Sequence, residues 1–122
     1  MELAPAAGPA FTIEIEHYDG DMAVVRCRGR LVENSARQLY TRVDAMMPET
    51  QRVVLDLSGV TYTDSLGLGG LARLYVTALA AGCTFELLNL SQQIRDLLGI
   101  TRMLEVFPVV REDGLSLSEA GC

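Results

Sequence analysis

The sequence contains no lysine, and all ten of its basic residues are arginine. Mechanisms that need an ammonium group, such as a P-loop lysine, a Schiff base or a Ser-Lys dyad, are therefore excluded. Histidine occurs once, at His17, and the only cysteines are Cys27, Cys83 and Cys122. Their odd number and their spacing fit neither a disulfide framework nor a zinc site, so we expect a reducing compartment and no metal.

Positive charge is scarce overall. The 16 acidic residues outnumber the arginines, which gives a formal net charge of −6 and a pI of about 4.6. Such a surface repels a phosphate backbone, so nucleic acid is not an expected partner. No apolar run approaches the roughly 18 residues of a membrane span, and the opening MELAPAAGPA lacks the basic start of a secretion signal. We expect a cytoplasmic protein without membrane insertion.

The pattern of apolar residues predicts one α/β domain with elements in the order β-β-α-β-α-β-α-β. The length of 122 residues suits a single domain, and 49% hydrophobic residues suffice for its core. We expect strands at 11–16, 22–27, 52–57, 83–90 and 107–110, and helices from 33 to before Pro48, over 65–81 and after Ser91. This order requires a mixed β-sheet of four to five strands, a hairpin plus parallel crossovers, with helices packed on it.

The domain is predicted at 11–111, between a flexible N-terminus at 1–10 and a short tail or partial final helix at 112–122. The run RVVLDL at 52–57 is almost continuously apolar. Such a run is typical of a strand buried on both faces, so we expect it at the centre of the sheet.

The most informative stretch is VVLDLSGVTYTDSLGLGGL at 53–71, where this strand leads through residues 58–63 into the second helix. Asp64 and Ser65 both suit a helix start, because their oxygens accept hydrogen bonds from unpaired backbone N–H groups. Gly67, Gly69 and Gly70 each cost roughly 0.5–1 kcal/mol relative to alanine within a helix. Either close approach by a partner or tight packing of the helix would offset that cost.

Ser65 is a candidate phosphorylation site. The N-terminus of a helix tolerates added negative charge, because its backbone N–H groups and dipole face the added group. A phosphoryl group brings about −1.5 to −2 charge, and Asp64 next to it would make the local surface strongly anionic. That change can abolish a protein contact without unfolding the domain.

A hydrolase is a weaker interpretation of the same serine. A strand-turn-helix is also the setting of the G-x-S-x-G nucleophile elbow. Here Thr63 stands in place of the first glycine, and only Gly67 matches. A catalytic triad would also need His17, which lies far back in the sequence in a predicted hairpin turn.

Other polar and glycine patterns have ordinary structural explanations. The glycines at 67–70 resemble part of a dinucleotide fingerprint, but no acidic residue stands about twenty residues later, where Leu87 and Leu88 lie. Asp56 could be catalytic, although a carboxylate satisfied by a neighbouring loop is the more common case. The alternation of Arg26, Arg28 and Arg30 would place three guanidinium groups on one strand face, which suits an acidic partner or a solvated edge.

The chain resembles the STAS domain family, named for sulfate transporters and anti-sigma factor antagonists. The stretch LDLSGVTYTDSLGLGGLARL is similar to the family signature, in which a buried strand is followed by Asp-Ser-x-Gly-Leu and a helix. The likeness extends from Phe11 to about Val110 and includes GRL at 29–31 and LSQQIRDLLGI at 90–100. The resemblance implies a single STAS-type domain.

In the antagonist branch of the family, the phosphorylated serine directly follows the aspartate of the motif, which corresponds to Ser65 here. The resemblance implies a non-enzymatic anti-sigma factor antagonist that binds an anti-sigma factor serine kinase and so releases a sigma factor. A serine phosphatase would act on the phosphorylated form, and no cofactor is expected because ATP belongs to the kinase. The implied contact residues are Arg30, Glu33, Asn34, Asp64, Ser65, Leu66, Gly67, Leu68 and Gly69.

Two departures from the family pattern concern that contact. Many antagonists have a second serine after the phosphorylated one and an acidic residue directly after the Gly-x-Leu turn. This chain has Leu66 and Val32 at those positions, with Glu33 one place later. An alternative function that keeps the fold is a STAS accessory subunit of a membrane transporter, for example a lipid-transport ABC system, in which the domain clamps an ATPase subunit.

Overall fold

The computed structural model describes residues 10–102 and the backbone of Val109–Val110. Within these residues the elements are β1 (Thr12–Tyr18), β2 (Met22–Leu31), α1 (Glu33–Met46), a 3-10 turn (Met47–Glu49), β3 (Arg52–Thr63), α2 (Ser65–Ala81), β4 (Thr84–Leu88), α3 (Gln92–Ile100) and β5 (Val109–Val110). The predicted α/β class and element order are confirmed. The predicted N-terminus up to residue 9, the start of the last strand at 107–108 and the tail at 112–122 lie outside the described residues.

The sheet has five strands in the order β1-β2-β3-β4-β5. β1 and β2 form the predicted antiparallel hairpin, with Tyr18 opposite Met22, and all other neighbouring strands pair in parallel. β3 is the central strand, as its continuous apolar run predicts, and Val53, Val54 and Leu55 are fully buried. The mixed sheet therefore has its single antiparallel pair at one edge.

The residues at 28–31 and 58–63 extend β2 and β3, which corrects the shorter strands expected from the sequence. Arg28 pairs with Gly59 and Leu31 pairs with Thr63 across the two strands. The register shifts twice along this extension, and Gly29 adopts a φ of +112° that favours glycine. Glycines and polar residues in these segments look locally like a loop, but strand pairing supplies their backbone hydrogen bonds.

The three helices and one face of the sheet enclose the main core. Alternate residues of β3, Val53, Leu55 and Leu57, belong to this core together with apolar residues of α1, α2 and α3. The residue between the first two, Val54, points to the opposite face, where it packs with Met22, Val24 and Leu88. The two faces of the sheet therefore carry separate apolar clusters.

A carboxylate connects the strands on that second face. Asp56 is only 4% exposed, and it accepts hydrogen bonds from Arg26 Nη1 at 2.8 Å, the Ser58 amide at 2.9 Å and Asn89 Nδ2 at 3.3 Å. Arg26 Nη2 also donates to Glu16 Oε1 at 2.9 Å. Burial alone would raise the pKa of Asp56, but these hydrogen bonds outweigh it and hold the pKa below its ordinary value.

The glycines of α2 differ in what surrounds them. A Cβ at Gly67 would collide with the Leu31 carbonyl and lie 2.5 Å from Thr63 Oγ1, and a Cβ at Gly70 would lie 2.7 Å from that of Ala36. Nothing lies within 4 Å of the corresponding position at Gly69. Tight packing therefore accounts for Gly67 and Gly70, whereas Gly69 has no packing reason. At its other end α2 has a glycine C-cap, with Gly82 at a φ of +73°.

These surroundings predict opposite effects for two alanine substitutions in α2. Gly69→Ala should raise the free energy of unfolding by roughly 0.5–1 kcal/mol, because alanine is the better helix former in open space. Gly67→Ala should lower it by roughly 1–3 kcal/mol, because the new methyl group pushes the helix away from β2. Urea unfolding followed by circular dichroism measures both, and equal effects at the two positions would contradict this account of the packing.

The hydrogen bonds of Asp56 predict that Asp56→Asn lowers the free energy of unfolding at pH 7 by about 2 kcal/mol. The stabilisation from a carboxyl with a lowered pKa is complete above the ordinary pKa of about 3.9 and is lost as the pH falls through the folded value. The difference in the free energy of unfolding between wild type and Asp56→Asn should therefore shrink below about pH 4. Asp44→Asn, at an exposed position on α1, is the control, and a difference that grows on acidification would refute the assignment.

Candidate functional site

The N-terminal ends of α1 and α2 lie side by side. β2 and β3 pair in parallel up to Leu31 and Thr63, and each helix begins two residues later. Thr63 Oγ1 donates a hydrogen bond to the Leu31 carbonyl at 2.8 Å, and the absence of a side chain at Gly67 lets α2 approach the same carbonyl. The two helix starts are thus fixed to each other through one backbone oxygen, and they form a common surface at this end of the sheet.

Asp64 and Ser65 divide two roles between them at the start of α2. Asp64 is the N-cap: its Oδ1 accepts a hydrogen bond from the Gly67 amide at 2.9 Å, and its carbonyl accepts one from Leu68 at 2.9 Å. Ser65, the first residue of the helix, is exposed. In the described part of the chain the Ser65 hydroxyl makes no hydrogen bond, so it is free to react.

A serine missed by the sequence reasoning holds the start of α1. Ser35 is buried, its Oγ accepts a hydrogen bond from the Val32 amide at 2.8 Å, and it donates to the Arg30 carbonyl at 2.5 Å. Val32 is the N-cap residue and has no side-chain hydrogen bond of its own. The available signal was a serine three residues after a helix boundary, where a side chain can reach back to the N-cap amide.

A groove of about 280 Å³ runs between α1 and α2, and Ser65 is part of its lining. Two arginines face it. Arg37 pairs with Glu33 at 3.1 Å, and the guanidinium of Arg73 lies over the ring of Tyr40, 4.0 Å from its centre. Sequence reasoning missed Arg37, Tyr40 and Arg73, because only the packing of the two helices brings them next to the serine.

The predicted contact residues differ in exposure and position. The exposed ones beside the helix starts are Glu33, Asn34, Ser65, Leu66 and Gly69, of which Leu66 carries an apolar side chain that is 57% exposed. Asp64 is half-buried. Arg30 is exposed but lies apart from the groove, with its guanidinium 4.9 Å from the ring centre of Tyr62. The remaining two predicted residues, Gly67 and Leu68, are buried.

The buried pair corrects one expectation. Close approach by a partner was one of the two explanations for the glycines of this segment, but the backbone that approaches Gly67 closely is the chain's own, at Leu31. Leu68 is 3% exposed and belongs to the main core. These two residues therefore lie beneath the surface and support it. In this segment Gly69 is the glycine with free space around its Cα.

The geometry does not support a nucleophilic enzyme site at Ser65. His17 pairs with Ala23 near the start of β2, whereas Ser65 lies beyond the opposite ends of β2 and β3. Cys27 is no alternative nucleophile, because burial raises the pKa of its thiol to about 12. Asp56 has hydrogen-bond partners from a neighbouring strand and loop, as the structural explanation predicted.

Residues 10–102 contain neither a cluster of metal ligands nor a membrane-spanning helix. No group of three or more histidine, cysteine, aspartate or glutamate residues is placed to hold a metal ion among them. No helix in this part of the chain is long and apolar enough to cross a membrane.

The chain is similar to known proteins in sequence. A family model described as "Mlab, STAS domain" matches residues 16–110. A STAS-domain containing protein of Pseudomonas aeruginosa is 32% identical over 94 residues, which cover 75% of this chain and 90% of that protein.

Solved structures show the same fold. An anti-sigma factor antagonist from Mycobacterium paratuberculosis is 25% identical, with a TM-score of 0.76 over 88% of this chain and 93% of its own. The anti-sigma factor antagonist SpoIIAA in its unphosphorylated form is 16% identical, with a TM-score of 0.75 over 91% of this chain and 98% of its own. SLC26A9 matches 92% of this chain with 24% of its own length, at 17% identity and a TM-score of 0.69.

The match to the family model runs from within β1 to the end of β5, and so includes the last part of β1, the other four strands of the sheet and the Asp64-Ser65 helix start. The chain belongs to the STAS domain family.

Proposed function

We propose that the chain is an anti-sigma factor antagonist, a non-enzymatic cytoplasmic protein whose contact with an anti-sigma factor is controlled by phosphorylation of Ser65. One observation carries this proposal: the Ser65 hydroxyl is exposed and unbonded at the first position of α2, while Asp64 alone caps the helix. The names of two structural neighbours, both anti-sigma factor antagonists, support it.

Phosphorylation at this position is compatible with the fold. Because Asp64 supplies the cap, modification of Ser65 removes no hydrogen bond that holds α2 in place. The partial positive charge of the helix N-terminus favours a phosphate there. The modified domain therefore stays folded, and the change is confined to its surface.

The same modification weakens a protein contact at this surface. Leu66, next to Ser65, is 57% exposed, and a large exposed apolar side chain beside a groove is suited to anchor a partner. Two added negative charges next to Leu66 would have to be desolvated on binding, which opposes association. The partner that places ATP near Ser65 is an anti-sigma factor that is also a serine kinase, and a serine phosphatase restores the binding form.

The first test is phosphorylation itself. Intact-protein mass spectrometry after incubation with ATP and extract of the source cells should show one added phosphoryl group, and peptide mapping should place it on Ser65. Ser65→Ala should abolish the addition, whereas Ser58→Ala, at another exposed serine, should leave it unchanged. If an extract that phosphorylates another antagonist leaves Ser65 unmodified, the phosphorylation switch is wrong.

A second prediction concerns the contact. Leu66→Asp should weaken binding to the anti-sigma factor roughly tenfold or more, about 1.4 kcal/mol in binding free energy, because it puts a charge on the apolar anchor. The matched control is Leu79→Asp, since Leu79 is 60% exposed on the same helix but lies near its other end. Isothermal titration calorimetry with the purified partner measures both. Equal weakening by the two variants would show that the contact does not centre on the helix start.

The transporter-subunit function is the second candidate, and one comparison favours it: in SLC26A9 the same fold forms 24% of a much longer chain. The partners distinguish the two functions. Affinity capture with the wild-type chain should recover an anti-sigma factor, and Leu66→Asp should abolish that recovery. Recovery of a membrane-associated ATPase subunit, with Ser65 unmodified, would favour the transporter function instead.

A further inference from the structure

A second concave surface lies on the face of the sheet that points away from the helices. It is a pocket of about 520 Å³ whose polar lining residues are Thr12, Arg28, Arg30 and Thr61. Arg28 and Arg30 are exposed and alternate along β2 with Cys27 and Leu31, which point into the main core. The pocket shares no lining residue with the groove at Ser65.

Packing holds both arginines in this pocket. Gly59 leaves room for the aliphatic part of Arg28, since a Cβ at residue 59 would lie 2.7 Å from Arg28 Cγ. The guanidinium of Arg30 stacks over Tyr62, 4.9 Å from the ring centre. The aliphatic stem of Arg28 and the guanidinium of Arg30 are thus positioned by packing and not by a carboxylate.

Arg28 and Arg30 differ from the third arginine of the strand in their ion pairing among the described residues. Arg26, on the same strand, forms ion pairs with Glu16 and Asp56, but neither Arg28 nor Arg30 has an ion pair in the described part of the chain. In the register with β1, Arg28 lies opposite Thr12, and the next outward residue of β1, Glu14, lies opposite Arg26. Among the described residues, one pocket of a chain with a net charge of −6 is thus lined by two arginines that form no ion pair.

We propose that this pocket binds a small dianion that carries phosphate or carboxylate oxygens. Guanidinium groups donate paired hydrogen bonds to such oxygens, and the hydroxyls of Thr12 and Thr61 can donate as well. The volume lies in the range of small-molecule sites, and the pocket lies toward the carboxyl ends of β2 and β3, where ligands of α/β sheets commonly bind. Binding would offset the repulsion between the two arginines. This site does not depend on the function proposed for Ser65.

Titration of the ¹⁵N-labelled full chain at constant ionic strength tests the site. The probes are inorganic phosphate and succinate, and sodium chloride is the reference. We expect saturable shifts of the Gly29, Gly59 and Thr61 amides with at least one probe, and the comparison of the two probes identifies the preferred oxyanion. Arg28→Gln combined with Arg30→Gln should weaken binding roughly tenfold or more. Arg95→Gln removes an exposed arginine from α3 and should leave binding unchanged.

Several results would overturn the proposal. Shifts that do not saturate, or that affect the surroundings of Arg95 as strongly as those of Gly59, would indicate a general salt effect. Full affinity in the double variant would place binding elsewhere. The spectrum of each variant reports its folding, and if the double variant is unfolded the single variants Arg28→Gln and Arg30→Gln replace it. Unchanged affinity in both would equally refute the site.

Discussion

The parallel pairing of β2 with β3 along their whole length is the constraint on which the rest of the structure depends. Because the two strands stay paired to Leu31 and Thr63, the helices that follow begin next to each other. The groove at Ser65 lies between those helices, and the pocket with Arg28 and Arg30 lies on the other face of the same two strands. A single pair of strands therefore places both surfaces at one end of the molecule and separates them by the thickness of the sheet.

The start of α2 shows how two neighbouring polar residues can carry separate tasks. Asp64 satisfies the backbone of the helix, and this leaves Ser65 without a structural duty. A serine that capped the helix could not be modified without loss of stability. The order Asp-Ser thus matters physically, because the reverse order would couple any modification of the serine to the integrity of the helix.

Local sequence patterns predicted which helices and strands form. They predicted less well where these elements end and which residues the elements bring into contact. The pattern of apolar residues predicted the bounds of α2 at 65 and 81, as observed, and the apolar run at 52–57 predicted the central strand. The extensions at 28–31 and 58–63 depend on pairing between segments about thirty residues apart, which local propensity does not encode. The placement of Arg37 and Arg73 beside Ser65 likewise follows from helix packing and has no signal in either helix alone.

The close approach of Gly67 to the carbonyl of Leu31 has a consequence for how any signal at Ser65 could travel. The first turn of α2 is fixed against the end of β2 and has little room to slide or tilt. The effect of a modification at this serine would therefore remain local. It would change the charge of the surface and would not be transmitted through the backbone. If Ser65 is phosphorylated as proposed, removal of the phosphoryl group would restore the original surface without any backbone rearrangement, and the duration of the modified state would depend only on the enzymes that add and remove the group.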